Sequence, residues 1–269
     1  MLKQLLICFA VACGTAQADS TSLQRLGDRT AQLGWEAVGR LELAGNGFCT
    51  GTLIERDLVL TAAHCVYDNR AGHLHPADQV LFRAGLRDGQ SIAERKGLQI
   101  VAHPGYTPGQ GLTAQNARHD VALIRLQSPV STTDADPFVL HGAAPAGSVV
   151  SVASYGRGRA DAVSRQRQCN LLNSSRDLML FDCDITFGSS GAPVFAQSGS
   201  RGRILSVISG FITRDGTRQA VGMALPARVS ELKAMLRRAP VAAPDRRIKR
   251  VQIGDGRSGT GAKFIRPGG

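Results

Sequence analysis

The chain has 269 residues, of which 43% are hydrophobic and only 5% aromatic, and its formal net charge is +11. After the first residues no apolar stretch is long enough for a transmembrane helix, which excludes a helical membrane protein. The 31 glycines and the scarcity of long helix-period stretches favour a turn-rich β protein, in one large or two small domains, with a mainly aliphatic core.

Residues 1–18 have the features of a secretory signal peptide. Lys3 supplies the positive charge of the N-terminal region, and Leu5 to Cys13 form an apolar stretch too short to span a membrane. Ala16-Gln17-Ala18 matches the small-residue cleavage motif. We therefore expect a mature chain that begins at Asp19 and is secreted or periplasmic.

Short apolar runs separated by polar turns follow along the chain, a pattern typical of a β-barrel or sandwich. Residues 19–32 are polar and are predicted to be an N-terminal arm or a short pro-segment. A stretch rich in Pro, Ser, Thr and Ala at 128–147 indicates a linker between two halves, 33–131 and 132–238. The predicted strands are Trp35–Leu43, Phe48–Ile54, Asp57–Thr61, Val80–Phe82, Leu98–Val101, Val121–Leu126, Ser148–Tyr155, Cys169–Leu172, Leu178–Phe181, Val194–Ala196, Ile204–Ile212 and Gln219–Leu225.

The second half closes with a short predicted helix from Arg228 to Arg238. Val229, Leu232 and Leu236 recur at helical spacing and so share one face. Pro240 lies just beyond its end and stops it.

Residues 239–269 are rich in Gly and Arg and show no apolar periodicity. From Arg237 onward nine Lys and Arg residues stand against Asp245 and Asp255, a local net charge of +7. We expect a disordered basic tail, with weak contacts to anionic surfaces and no specific recognition of nucleic acid.

The cysteines fit an exported protein. Cys8 and Cys13 belong to the signal peptide, although a lipidated Cys13 is an alternative interpretation. An even number then remains, which suits disulfides in an oxidising compartment and leaves three pairings open. Zinc binding is disfavoured because no Cys-x-x-Cys spacing occurs. The remaining cysteines are Cys49, Cys65, Cys169 and Cys183.

A glycine-flanked serine turn is the strongest chemical signal. Gly188 and Gly191 permit backbone conformations that a side chain would forbid, and Pro193 fixes the chain beyond them. Such a turn exposes a hydroxyl and directs the N–H groups of Gly188 and Ser190 at one point, as in an oxyanion hole. The glycine spacing fits Ser190 rather than the adjacent Ser189. Taken alone, a Gly/Ser-rich surface turn is the alternative.

Two other segments complete a pattern with this turn. His64 lies in the sequence Thr-Ala-Ala-His-Cys directly after an apolar run. Asp120 heads an apolar strand, where an unpaired charge is costly and pairing with His64 removes that cost. With the order His64, Asp120, Ser190, the chain resembles the chymotrypsin-like (trypsin-like) serine peptidases, peptidase S1, over residues 35–238. Within them it is similar to the bacterial branch that includes glutamyl endopeptidases.

The resemblance implies a fold and a disulfide pairing. The fold is all-β, with two six-stranded antiparallel β-barrels of the chymotrypsin type and a short C-terminal helix. The first barrel then occupies 33–131, and the second barrel with the helix occupies 132–238. The implied disulfides are Cys49–Cys65 and Cys169–Cys183.

The resemblance also implies a chemistry. The protein would be a monomeric serine endopeptidase that hydrolyses polypeptides through an acyl-enzyme. Ser190 is the nucleophile, His64 the general base and acid, and Asp120 the group that orients the imidazole. The N–H groups of Gly188 and Ser190 form the oxyanion hole. No metal or organic cofactor is needed.

Specificity is less clearly implied. Ile208, Ser209 and Gly210 are predicted to line the strand that binds substrate, and Asp184 stands where trypsin carries its pocket aspartate. Because the preceding cysteine is spaced differently, trypsin specificity does not follow. The absence of histidine among the three strand residues counts against glutamate specificity.

One departure concerns activation. Digestive members of the family carry an aspartate directly before the nucleophile, and it pairs with a newly cut N-terminus. Here Ser189 stands at that place. Activation through such a buried ion pair is therefore not implied.

Two other classes of function remain open from the sequence. One is a non-catalytic envelope- or nucleic-acid-binding protein built on a peptidase scaffold. The other is an esterase that uses the same triad.

Overall fold

The structure is a computed structural model that describes residues 21–43, 47–197, 201–214 and 216–238. The predicted signal peptide at 1–18, with Cys13, and the predicted basic tail at 239–269 lie outside the described residues.

The described chain is mostly β-structure, with short turns between the strands. The described residues also include two short 3₁₀ turns, Ala63–Cys65 and Ala77–Gln79. In chain order the elements are β1 (Leu23–Arg25), α1 (Arg29–Gln32), β2 (Val38–Leu43), β3 (Phe48–Glu55), β4 (Leu58–Thr61), β5 (Tyr67–Asp68), β6 (His73–Leu74), β7 (Val80–Ala84), β8 (Ala93–Ala102), α2 (Ala114–His119), β9 (Ala122–Leu126), β10 (Val149–Gly156), β11 (Arg159–Ser175), β12 (Leu178–Phe181), β13 (Pro193–Ala196), β14 (Arg203–Arg214), β15 (Thr217–Met223) and α3 (Pro226–Arg238).

The first barrel is closed, with strands in the order β2-β3-β4-β9-β8-β7. Every neighbouring pair is antiparallel, and the closing pair joins Leu41 to Phe82. Leu53, Val59 and Ile124 lie opposite one another on three neighbouring strands, point into its interior and are fully buried. The barrel is therefore packed with aliphatic side chains, as the low aromatic content predicts.

The second barrel contains β10, β11, β12, β15, β14 and β13. Pairing of β11 with β12 closes it, and all its strand pairs are antiparallel. Strand β1 adds to β11 from outside, with Leu23 opposite Gln166, so part of the predicted arm at 19–32 lies on this barrel. The prediction of two six-stranded antiparallel barrels of the chymotrypsin type is confirmed.

An aromatic cluster packs between the two barrels. Trp35 precedes β2 of the first barrel, and its ring meets the ring of Phe195 in β13 edge to face at 5.1 Å. Phe138, from the predicted linker at 128–147, lies 4.6 Å from Phe195 and 5.8 Å from Trp35. The linker therefore supplies part of the apolar contact that joins the barrels.

Helix α3 packs on β8 and β9 of the first barrel. Val229, Leu232 and Leu236 are its buried residues, as their spacing predicts. The helix begins at Pro226, two residues before the predicted start, because proline suits the first helical position, where its missing N–H has no intrahelical partner. No helix in the described part of the chain has the length and apolar character needed to cross a bilayer.

Both disulfides that the resemblance implies are formed. Cys49 joins Cys65 across 16 residues, and Cys169 joins Cys183 across 14 residues. The first ties β3 to the turn that follows β4, and the second ties β11 to the segment that leads into the serine turn.

We expect the double variant Cys169→Ala/Cys183→Ala to lower the free energy of unfolding by about 3 kcal/mol, because the cross-link restricts the unfolded chain. Chemical denaturation of the variant and the oxidised parent measures the difference. Peptide mapping without reduction provides the control. Recovery of a Cys49–Cys169 peptide would contradict the pairing.

Candidate active site

His64 lies on a tight turn at the edge of the first barrel. Strand β4 ends at Thr61, and the 3₁₀ turn Ala63–Cys65 follows directly, with the Cys49–Cys65 disulfide holding its end. The side-chain amide of Asn69 donates to the carbonyl of His64 at 3.0 Å. The imidazole is therefore carried on a backbone fixed by a covalent bond and a hydrogen bond.

Asp120 follows helix α2, whose first turn is capped by Thr113. Asp120 is 3% exposed, and its carboxylate accepts three hydrogen bonds. The backbone N–H of His64 donates to Oδ1 at 2.8 Å, and the ring Nδ1 of His64 lies 2.7 Å from Oδ2. The hydroxyl of Ser209 donates to Oδ2 at 2.5 Å. These donors offset the cost of burying the charge.

Asp120 also controls the protonation of His64. Burial by itself lowers the pKa of His64, but the charge of Asp120 and its hydrogen bond raise it, and the net result is a pKa above the ordinary value. The carboxylate therefore stabilises the imidazolium form.

The serine turn requires both of its glycines. Gly188 has φ +93° and Gly191 has φ +75°, which L-residues with side chains rarely adopt. A Cβ at Gly188 would lie 2.3 Å from the ring of Phe48, and one at Gly191 would lie 2.2 Å from the hydroxyl of Thr61. The turn is thus pressed against the first barrel.

Thr50 of β3 binds this turn from the first barrel. Its N–H donates to the carbonyl of Ser190 at 2.8 Å, and its hydroxyl donates to the carbonyl of Gly188 at 2.9 Å. The same hydroxyl accepts from the N–H of Tyr155 at 3.1 Å. Sequence reasoning missed Thr50, because no local pattern links it to a turn 138 residues away.

The two adjacent serines have different environments. Ser189 is completely buried, and its hydroxyl donates to the carbonyl of Tyr155 at 3.1 Å. Ser190 is partly exposed and lines, with His64 and Gly188, a cleft of about 780 Å³. A second cavity of about 340 Å³ adjoins His64 on the side of Asp120 and Ser209.

The residues predicted to bind substrate fall in different places. Ile208 is buried, and its backbone holds the serine turn by accepting from Gly191 at 2.7 Å and donating to Ala192 at 2.9 Å. The hydroxyl of Ser209 donates a hydrogen bond to Asp120, a contact that the sequence did not indicate.

Gly210 and Asp184 differ in exposure. Gly210 is partly exposed, beside the side chain of Leu112. Asp184 is exposed, and its backbone N–H donates to the side chain of Gln166 at 2.7 Å. Asp184 is not among the residues that line the two cavities beside His64.

Two clusters of metal-ligand residue types occur in the described ranges. One combines His64 with Cys49 and Cys65, and the other combines Asp182 with Cys169 and Cys183. In both, the cysteines form a disulfide, whereas the thiolate is the ligand form. Each cluster is left with a single side chain able to bind a metal.

Comparison with known proteins places the chain among proteases. A family model described as Trypsin matches residues 25–235. The chain is 31% identical over 177 residues to serine protease SP24D of Anopheles gambiae, which covers 58% of this chain and 61% of that protein. It is 28% identical over 156 residues to the glutamyl endopeptidase of Bacillus licheniformis, which covers 58% of this chain and 47% of that protein. The alignments thus span less than two thirds of these relatives' length.

Solved structures share the fold. The structure of a Glu endopeptidase in complex with MPD superposes with a TM-score of 0.63 at 17% identity, covering 76% of this chain and 91% of that one. A thermostable serine protease, AL20, from an extremophilic microorganism superposes with a TM-score of 0.61 at 18% identity, covering 74% of this chain and 96% of that one.

We expect an NMR titration of the ring nitrogens of His64 to give a pKa above that of a free histidine. Asp120→Asn should lower this pKa, because it removes the negative charge that favours the imidazolium. The matched control is Asp177→Asn, an exposed aspartate that pairs with Arg228 and should leave the His64 titration unchanged. An unchanged or raised pKa in Asp120→Asn would contradict the assignment.

Proposed function

Because the chain belongs to the trypsin family of serine peptidases, we propose that it is an exported serine endopeptidase whose triad is His64, Asp120 and Ser190. The observation that carries this proposal is the buried Asp120 carboxylate bound to Nδ1 of His64 at 2.7 Å. That bond leaves Nε2 as the ring nitrogen available to Ser190, which lines the same cleft. The arrangement suits acyl transfer to a serine hydroxyl.

The proposed reaction forms and breaks an acyl-enzyme. Nε2 of His64 takes the proton of the Ser190 hydroxyl as Oγ attacks the scissile carbonyl carbon, and it then gives that proton to the leaving amine. Water, activated by the same nitrogen, hydrolyses the ester. Asp120 stays ionised and stabilises the imidazolium, in keeping with the raised pKa of His64.

The N–H groups of Gly188 and Ser190 form the proposed oxyanion hole. The carbonyl of Phe187 accepts from the N–H of Arg157 at 2.7 Å. Since the C=O and N–H of a trans peptide point in opposite directions, the Gly188 N–H points away from Arg157. Each such donor contributes about 3 kcal/mol to transition-state stabilisation.

The proposed substrate is a polypeptide bound along β14 near Ser209 and Gly210. The glutamyl endopeptidase relative supports a bacterial type of enzyme, but the residues from Ile208 to Gly210 include no histidine that would pair with a glutamate side chain. The two disulfides suit a secreted or periplasmic protein.

The adjacent serines provide the sharpest test. We expect Ser190→Ala to abolish turnover of peptide and ester substrates and labelling by an organophosphonate, apart from the low residual rate that binding and the oxyanion hole sustain. Ser189→Ala should keep organophosphonate labelling and measurable turnover, because that hydroxyl is fully buried and can affect the rate only through the shape of the turn. Retention of labelling by Ser190→Ala together with its loss in Ser189→Ala would reverse the assignment.

A second test concerns the oxyanion hole. Gly188→Ala should lower kcat by about 10²- to 10³-fold, because the new Cβ meets the Phe48 ring and displaces one donor. Gly147→Ala is the matched control, since Gly147 also has a positive φ (+84°) but has open space around its Cβ position. Equal kcat values for the two variants would count against the hole.

A further inference from the structure

A buried polar cluster lies beneath the serine turn and centres on Ser189. Its hydroxyl accepts from Nη2 of Arg159 at 3.1 Å and from the N–H of Thr186 at 3.2 Å, and it donates to the carbonyl of Tyr155 at 3.1 Å. The hydroxyl of Ser154 lies 3.3 Å away. Ser189 is therefore bonded on several sides, although it is not the proposed nucleophile.

Arg159 is the only charged group with a hydrogen bond to this hydroxyl in the described part of the chain. Its Nη1 donates to the carbonyl of Ser154 at 2.6 Å, and its Nη2 donates to the Ser154 hydroxyl at 2.9 Å. Burial lowers the pKa of Arg159, and the nearby charge of Asp184 opposes that effect. A guanidinium remains charged in proteins, so this fork is a fixed donor.

The position of Ser189 gives the cluster its importance. Ser189 lies between Gly188 and Ser190, whose N–H groups are the proposed oxyanion donors. When its side chain is held in the interior, the peptides on both sides of it are held as well. In digestive relatives, as the resemblance implies, an ion pair with a new N-terminus does this at the same place. A serine carries no charge that could pair with a new N-terminus, so its hydroxyl must be bound by a hydrogen-bond donor from elsewhere in the protein.

We propose that Arg159 is a positioning residue that holds the oxyanion turn in its working shape by binding the Ser189 hydroxyl and the adjacent Ser154. The anchor comes from within the second barrel, at the start of β11, rather than from a chain terminus. This inference rests on the proposed function, since it concerns the geometry of the same site.

A purely structural role would give a different result. Arg159 also packs beside Gly156, where a Cβ would lie 2.9 Å from the guanidinium carbon. If Arg159 only supported this loop, its loss would lower thermal stability without a selective loss of transition-state binding. The test must therefore separate kcat and transition-state affinity from substrate binding and folding.

The experiment compares Arg159→Ala and Arg159→Lys with the parent enzyme. We expect Arg159→Ala to lower kcat by about 10²-fold, the lower limit for loss of one oxyanion donor, while KM changes by less than about threefold. The inhibition constant of a peptide boronic acid, whose tetrahedral adduct occupies the hole, should rise in parallel with the loss in kcat/KM. Arg159→Lys should restore part of kcat, because an ammonium can donate to one or two of the same acceptors.

The matched control is Arg165→Ala. Arg165 is also half-buried and lies on the same strand, but its guanidinium stacks on Trp35 at 4.1 Å instead of binding Ser189. We expect its kcat and boronic acid affinity to match those of the parent. Each variant is also combined with Ser190→Ala, so that a peptide substrate binds without being cleaved. We expect all of these combined variants to bind that peptide with the same affinity.

Several results would overturn the inference. One is a folded Arg159→Ala enzyme whose kcat and boronic acid inhibition constant stay within twofold of the parent. Another is a rise in KM with kcat unchanged, which would make Arg159 a substrate contact. If Arg159→Ala does not fold, Ser154→Ala is the replacement test, because it removes one bond of the cluster. A kcat equal to the parent's in both Ser154→Ala and Arg159→Lys would likewise overturn the inference. Organophosphonate labelling and turnover near the parent level in Ser190→Ala would instead overturn the proposed function.

Discussion

The site depends on hydrogen bonds that cross between two separately closed barrels. His64 and Asp120 belong to the first barrel, and Ser190 belongs to the second. The N–H and hydroxyl of Thr50 join them, because both donate to carbonyls of the serine turn, at 2.8 and 2.9 Å. A catalytic group that is misplaced by about 1 Å loses much of its effect, so a direct bond between the barrels at the turn suits the proposed chemistry.

The buried charge of Asp120 acts as a second connection between the barrels. An ionised aspartate that is 3% exposed would destabilise the fold unless donors surround its carboxylate. Two of its donors come from His64, but the third is the hydroxyl of Ser209 on β14 of the second barrel. The need to satisfy this charge thus favours the relative placement of the barrels that also brings Ser190 to the cleft. Stability and the proposed chemistry depend on the same contacts here.

The second barrel builds its side of the site from neutral and cationic groups. Where digestive relatives carry an aspartate, this chain has a buried serine bonded to Arg159, and Asp184 lies exposed near the same guanidinium. The Cys169–Cys183 disulfide precedes this segment and limits its freedom. The serine turn is therefore held by two sets of hydrogen bonds. One comes from the buried cluster around Ser189 in the second barrel, and the other comes from Thr50 of the first barrel.

The sequence by itself determined the features that local chemistry specifies. Apolar runs indicated most of the barrel strands, although residues 159–168 of β11 were not predicted. The glycine spacing favoured Ser190 over Ser189 as the proposed nucleophile, and the helical spacing of Val229, Leu232 and Leu236 indicated α3. The six-residue helix α2 before Asp120 escaped prediction because it is too short to show a helical period. The family resemblance supplied the barrel closure and the disulfide pairing, which no local pattern contains.

Only the tertiary structure decided which polar groups support the site. Thr50 meets Gly188 across 138 residues, Ser209 meets Asp120 across 89, and Arg159 meets Ser189 across 30. Each bond requires both barrels, or two distant strands of one barrel, to be closed before donor and acceptor come within reach. Hydrogen bonds are directional and short, so the linear sequence holds no signal for them, whereas the hydrophobic pattern that builds the strands is local and periodic.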